Sequence, residues 1–135
     1  MTLVTFHVAG KPVTKGSWAA FRSKKTGRIN FVGPKGLAKW QKAVHDEACR
    51  ACGGVCAPLA GALRVYAIFH LPRPKSADRA EPIGERDGDV DKYLRAILDA
   101  LTGVVYKSDA QVVDARGVKR WALGEPGVDV WVGRP

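Results

Sequence analysis

Alternating apolar and polar residues, rich in β-branched and aromatic side chains, predict six strands along the chain. Successive side chains of a strand point to opposite faces of its sheet, so alternation indicates one buried face. Two short segments flank the turn at Lys24–Gly27, which predicts a hairpin. The predicted strands are Thr2–Val8, Ser17–Arg22, Arg28–Val32, Leu63–Leu71, Val112–Trp121 and Val128–Val132.

Two further segments repeat apolar residues at intervals of three and four, which is the period of a helix with one buried face. They predict helices at Lys35–Cys52 and Val90–Leu101. The resulting element order predicts a single α+β domain over residues 1–135, a two-layer sandwich with a mixed β-sheet and both helices packed on one face. The proline-rich and charged residues 72–89 are expected to form an exposed, mobile loop.

The composition is that of a globular protein, with 135 residues, 46% hydrophobic and 26% charged. No apolar run approaches the roughly 20 residues of a membrane span. The first residues do not resemble a secretory signal, because polar residues and Lys11 interrupt them. We therefore expect a cytoplasmic protein without membrane contact.

The positive charge is concentrated near the start of the chain, where the first 44 residues hold nine Lys and Arg and no Asp or Glu. Such a field attracts polyanions, and nucleic acid is the polyanion that a protein of this kind meets most often. A basic surface that binds nothing specific is the alternative. The residues predicted to contact DNA are Lys11, Lys15, Arg22, Lys24, Lys25, Arg28, Lys35, Arg73 and Lys75.

The cysteines lie together, and with one histidine they form the pattern H-x3-C-x2-C-x3-C. These side chains could supply four ligands to zinc. Structural zinc sites, however, usually pair ligands from two separate knuckles, whereas this group is local and crowded. We therefore favour packing of small apolar side chains over a zinc site at His45, Cys49, Cys52 and Cys56.

Five aspartates stand between Gly88 and Asp114 in this basic chain. Asp89 and Asp91 lie where the second helix begins, so they could cap it or, turned toward one point, bind a divalent cation. Asp109 could join them if the segment after Gly103 runs back along the helix. Three hard oxygen ligands with open positions suit Mg²⁺ bound to a phosphodiester. Asp99 is too far along the helix for that ion, and we expect it to bond backbone in the turn that follows.

The motif D-V-D at Asp89, then a basic residue at Arg95, then L-D-A-L-T-G-V-V-Y and D-A-Q-V-V-D, closely resembles the RusA family of Holliday-junction resolvases, particularly its phage-type members. The resemblance implies a homodimer with a mixed α/β fold. It also implies that Asp89, Asp91 and Asp109 are the catalytic, metal-binding carboxylates. The family has a lysine where this chain has Arg95, which can position a phosphate or form an i, i+4 pair with Asp91.

These observations together predict a Mg²⁺-dependent, structure-selective endodeoxyribonuclease. It would resolve Holliday junctions and other branched DNA by paired symmetric nicks as a homodimer, with Mn²⁺ able to replace Mg²⁺. One alternative is a non-catalytic DNA-binding module whose aspartates only cap a helix. Another is a metal-dependent nuclease of flaps or single strands.

Overall fold

A computed structural model describes residues 2–16, 19–32, 34–54 and 57–135 of the chain. Its elements follow the predicted order. The strands are β1 (Thr2–Ala9), β2 (Ala19–Arg22), β3 (Ile29–Val32), β4 (Leu63–Leu71), β5 (Val112–Trp121) and β6 (Gly127–Gly133). The helices are α1 (Leu37–Ala51) and α2 (Val90–Leu101), with single 3₁₀ turns at Glu85–Asp87 and Asp109–Gln111.

The predicted and observed boundaries differ by no more than two residues, apart from the hairpin strand that was predicted to begin at Ser17, which lies outside the described residues. Helix α1 begins later than predicted because Gly36 precedes it in the left-handed conformation, with φ of 82°. The α+β prediction is confirmed.

Four of the described strands form one mixed sheet in the order β1-β6-β4-β5. Strands β4 and β5 are parallel, whereas β1 and β4 each pair with β6 in antiparallel fashion. Strands β2 and β3 form a separate antiparallel hairpin. The parallel pair is possible because α2 forms the crossover between β4 and β5.

The core lies between one face of the sheet and the two helices. Val65 and Phe69 of β4 are fully buried, as are Val44 of α1 and Ile97 and Leu101 of α2. The opposite sheet face carries half-buried and exposed side chains. No helix among the described residues is long and apolar enough to cross a membrane.

Strand β5 runs antiparallel to α2 and packs closely against it. A Cβ atom added at Gly117 would lie 3.1 Å from a methyl carbon of Val90, so the absence of a side chain lets the first turn of α2 approach the strand. Two residues later, the ammonium group of Lys119 donates to the carbonyl of Gly88 at 2.6 Å. The later part of β5 therefore lies beside the start of α2.

The prediction of an exposed, mobile loop over residues 72–89 was wrong in one respect, because this segment contains buried, bonded side chains. Asp87 is only 8% exposed and pairs with Arg79. The indole N–H of Trp121 donates to the carbonyl of Arg79 at 3.1 Å. Opposite charges eight residues apart satisfy one another here, which composition alone does not reveal.

Replacing Gly127 with alanine should destabilise the sheet. A Cβ atom there would lie 2.5 Å from the carbonyl oxygen of Val8, so β1 and β6 would have to move apart. We expect a loss of roughly 1–3 kcal/mol in the free energy of unfolding, measured with urea. Gly124→Ala is the matched control, because a Cβ atom there meets no atom within 4 Å. Equal stability of the two variants would contradict the predicted contact.

Candidate active site

The start of α2 presents two exposed carboxylates. Asp89 is the N-cap residue, with extended backbone (φ −94°, ψ 135°), and its side chain makes no capping hydrogen bond to any described residue. That side chain is 65% exposed, with the ammonium group of Lys92 3.4 Å away. Asp91 follows in the first turn and is also exposed. Both carboxylates therefore remain available to a ligand.

A buried carboxylate holds the segment that leads into this helix. Asp87 accepts two hydrogen bonds from the guanidinium of Arg79, both at 2.8 Å, and one from the backbone N–H of Gly84 at 2.7 Å. The hydrogen bonds from Arg79 are the main cause that holds the pKa of Asp87 below its usual value. The oxygens of this carboxylate are thus already hydrogen-bonded within the fold, and Asp87 is not a candidate metal ligand.

Hydrogen bonds from two side chains to backbone carbonyls hold Gly88, the residue between Asp87 and Asp89, in place. The hydroxyl of Tyr93 donates to the carbonyl of Asp87 at 2.7 Å, and Lys119 donates to that of Gly88. Gly88 has a φ of 83°, and a Cβ atom on it would lie 2.6 Å from the Tyr93 hydroxyl oxygen. Only glycine fits this position, so the backbone that leads into Asp89 has one defined conformation.

Asp109 lies near the other end of α2. The hydroxyl of Tyr106 donates to the carbonyl of Leu98, and the pKa of Tyr106 is raised by burial and by the charges of Asp109 and Asp99. A helix of twelve residues is about 18 Å long, which separates Asp109 from Asp89. Among the described residues, no group of three or more His, Cys, Asp or Glu side chains is arranged to hold a metal ion.

The condition for Asp109 to join Asp89, that the chain runs back along α2 directly after Gly103, is not met. Val104, Val105 and Tyr106 are buried beneath the end of α2, where the N–H groups of both valines donate to the carbonyl of Leu101. These three residues could have formed an extended segment that runs back along α2, but they pack in the hydrophobic core instead. The chain runs back along α2 only from β5 onward, after Asp109 has been passed.

Neither Asp99 nor Arg95 makes, within the described residues, the structural contact that its sequence position suggested. Asp99 forms an ion pair with Lys15 and not a hydrogen bond to the following turn. Lys15, which was predicted to contact DNA, therefore stabilises the fold through this pair. Arg95 is exposed on α2, and no ion pair joins it to Asp91 in the described part of the chain. Arg95 is thus free to meet a phosphate.

The remaining predicted DNA contacts are distributed over three places. Arg22, Lys24, Lys25 and Arg28 are exposed at the β2–β3 turn, far along the chain from the aspartates. Arg73 lies over the ring of Trp121, while Lys75 is exposed in the same loop. The structure brings together Lys11 and Lys35, which line one pocket near the start of α1.

The proposed zinc ligands lie at the end of α1, with Cys56 outside the described residues. Cys49 and Cys52 are half-buried, and burial raises the pKa of the Cys52 thiol. Zinc binds the thiolate, so burial without a metal favours the protonated form. His45 lies 3.8 Å from Asp46, its neighbour along the helix.

Sequence reasoning missed the residues that support the site. They are Arg79, Asp87, Tyr93 and Lys119 around the start of α2, and Arg86 beside it. One signal was available, because a glycine directly before the N-cap aspartate often marks a strained turn. The partners of the Asp87 carboxylate, Arg79 and Gly84, lie in the same loop, but no regular sequence pattern indicates them.

Comparison with known proteins adds the family. A family model described as "Endodeoxyribonuclease RusA" matches residues 9–133, which is nearly the whole chain. The chain belongs to the RusA endodeoxyribonuclease family. It is also 28% identical to "Uncharacterized protein YqaN" of Bacillus subtilis (strain 168) over 144 residues, which cover 98% of this chain and 96% of that protein.

Membership in the RusA family indicates a nuclease that acts on branched DNA, and nucleases of this kind imply a divalent metal. Asp89 and Asp91 supply hard oxygen donors of the type that Mg²⁺ prefers. A third carboxylate does not join them within the described residues of one chain. The described residues of one subunit of this RusA protein therefore do not form a three-carboxylate metal site.

The contact between Asp87 and Arg79 should make stability depend on acid. Because the pKa of Asp87 is lowered on folding, its contribution is present above the unfolded value of about 3.9 and is lost as the pH falls through the lower folded value. Asp87→Asn should be less stable than wild type by roughly 1.5–3 kcal/mol at pH 7 and should lose less stability on acidification.

Urea unfolding at several pH values measures this difference. Arg79→Ala should lower stability at pH 7 to a similar extent, and the double variant should lose much less than the sum of the two single losses. Additive losses, or parallel pH profiles of wild type and Asp87→Asn, would refute the assigned pair.

Proposed function

We propose that this RusA-family protein is a Mg²⁺-dependent endodeoxyribonuclease that resolves four-way DNA junctions by paired nicks as a homodimer. The observation that carries the proposal is the exposed pair Asp89 and Asp91 at the start of α2. Neither carboxylate makes a capping hydrogen bond among the described residues, and the hydrogen bonds of Asp87 with Arg79 and Tyr93 hold the segment before them. Such rigid support is what a catalytic group requires.

The positions of the carboxylates give the homodimer a specific role. Asp109 cannot join Asp89 and Asp91 of its own chain, since about 18 Å of helix lies between them. A two-fold axis would allow Asp109 of the partner subunit to complete the set, and symmetry would then create two equal sites. We propose this arrangement as the metal site. The ion would polarise the scissile phosphate and lower the pKa of a water molecule.

The side chains of the protein itself hold the DNA. Arg95 lies one helical turn beyond Asp91 and is exposed, so its planar guanidinium can clamp a phosphate beside the carboxylates. Lys92 lies next to Asp89 and adds positive charge there. Two copies of the site related by symmetry would position one nick on each of two strands.

The non-catalytic alternative is less well supported. A module whose aspartates serve only as caps would use the Asp89 carboxylate to accept a backbone N–H, and that bond is absent from the described residues. Nothing in the described residues favours flaps or single strands over junctions.

Asp91→Asn should separate cleavage from binding. The substitution keeps the size of the side chain and removes the charge that would bind the metal, so junction cleavage should fall by orders of magnitude while affinity stays near that of wild type. Gel-shift and nicking assays on the same synthetic junction measure the two. Glu125→Gln in the exposed β5–β6 turn is the charge-matched control and should cleave normally. Cleavage retained by Asp91→Asn would remove this residue from the site.

Mixing two inactive variants tests the shared site. Asp89→Asn and Asp109→Asn should each be inactive alone. In their mixed dimer, one site has its Asp89, Asp91 and the partner subunit's Asp109 intact, and the other lacks both substituted carboxylates. A supercoiled cruciform plasmid should then be converted to open circles, whereas wild type gives linear product. If verified mixed dimers stay inactive, all three carboxylates act within one subunit.

A further inference from the structure

A series of adjoining depressions, called here the groove, leads from the start of α1 to Asp89. It consists of three adjoining depressions with volumes of about 370, 230 and 240 Å³. The first and second share Lys11 and Lys35, while the second and third share Thr14 and Arg86. The third ends at Asp89 and Lys92. One groove thus connects the candidate site with a distant basic surface.

Positive side chains follow the groove from end to end. In the first depression, Lys39 joins Lys11 and Lys35, and Arg86 and Lys92 continue the series toward Asp89. Among the described lining residues, acidic side chains occur only in the third depression, which contains Glu85 as well as Asp89. Of the five cations, Lys92 alone has an ion pair within the described part of the chain. The rest of the charge is available to an anion.

The end of the groove at the start of α1, its inner end, contains hydrogen-bond donors that have no acceptor among the described residues. Gly36 precedes α1 without a side chain to cap it, and no acidic residue stands in the first turn. Trp40, which lines this end, is 4% exposed, and its indole N–H has no acceptor among the described residues. An exposed helix start beside three lysines favours a phosphate group.

The wall of the groove is held in place before any ligand binds. Residues 11–16 form this wall between the starts of the two helices. The backbone N–H of Lys15 donates to the carbonyl of Lys92 at 3.0 Å, and its side chain pairs with Asp99. At the other end, the N–H of Gly10 donates to the carbonyl of Pro126 at 3.0 Å. A preformed groove loses less entropy when it binds an extended chain.

We propose that this groove binds the sugar–phosphate backbone of the DNA strand that is cut. Lys92 and Arg86 hold phosphates next to the scissile one, and Lys11, Lys35 and Lys39 hold a phosphate farther along the same strand, at the start of α1. The inference rests on the proposed nuclease function and adds to it the path of the substrate. Arg86 and Lys39 become DNA contacts that their local sequence does not single out.

Salt dependence of binding tests the path. The double variant Lys39→Ala, Arg86→Ala should bind a four-way junction more weakly, and its plot of log affinity against log salt should flatten by about 0.7 to 0.9 per lost phosphate contact. Lys42→Ala is the matched control, because Lys42 is an exposed lysine on the same helix that does not line the groove. Its slope should equal that of wild type. Equal slopes for all proteins, or an equal change in Lys42→Ala, would overturn the proposal.

Neutral phosphates test the position of the strand. A methylphosphonate placed at single positions near the nick should weaken binding by wild type at a defined phosphate on one side. In Lys39→Ala the same replacement should weaken binding less than it does in wild type, because one of the three lysines that contact this phosphate is already gone. An unchanged interference pattern in Lys39→Ala would show that this strand does not enter the inner end of the groove.

The two proposals can fail separately. Wild type that nicks a junction while the double variant binds and nicks equally well would refute the groove and leave the nuclease. Wild type that never nicks branched DNA, with the predicted differences in salt slope, would refute the nuclease and leave the groove as a DNA-binding path.

Discussion

The packing of α2 against β5 fixes where each carboxylate of the candidate site can lie. Gly117 permits close contact with Val90, and the antiparallel run of the strand brings Lys119 to the carbonyl of Gly88. The same geometry leaves Asp109, which precedes the strand, near the end of the helix. The apolar face of α2 thus determines both the fold and the spacing of the acidic groups.

Several aspartates of this basic protein differ in their surroundings. Asp99 and Asp114 are paired with Lys15 and Arg64, and Asp87 is bound by Arg79, so their charges support the fold. Asp89 and Asp91 are exposed at a helix start that this network supports, and only Asp89 of the two has a neighbouring cation, Lys92, among the described residues. Negative charge set within a positive field is unfavourable to a DNA-binding surface unless a cation offsets it. This contrast is the physical basis for assigning the exposed pair to metal-assisted chemistry.

The sequence predicted the fold well because burial has a clear period. The alternating β4 segment and the i, i+3, i+4 pattern of α2 each correspond to an observed element with the predicted bounds. Local order alone could not give the relative positions of Asp89 and Asp109, which depend on how Val104, Val105 and Tyr106 turn. Nor could it reveal Asp87, because residues 72–89 follow no periodic pattern, although its partners Arg79 and Gly84 lie only eight and three residues before it.

The same distinction applies to the DNA-binding surface. Charge counting identified Lys11 and Lys35, since they lie in a segment without acidic residues. It could not separate them from Lys15, whose partner Asp99 lies far along the chain, or connect them with Arg86 in a loop of mixed charge. Those distinctions depend on the path of residues 11–16 between the two helices.

The most direct test of the central claim is the cleavage of a synthetic four-way junction by the purified protein, with each strand end-labelled in turn. The account predicts nicks at symmetry-related positions on two opposite strands, formed with Mg²⁺ and abolished by a chelator, while a linear duplex of the same sequence stays intact. Absence of nicking with any divalent metal, or equal cleavage of the linear duplex, would contradict it.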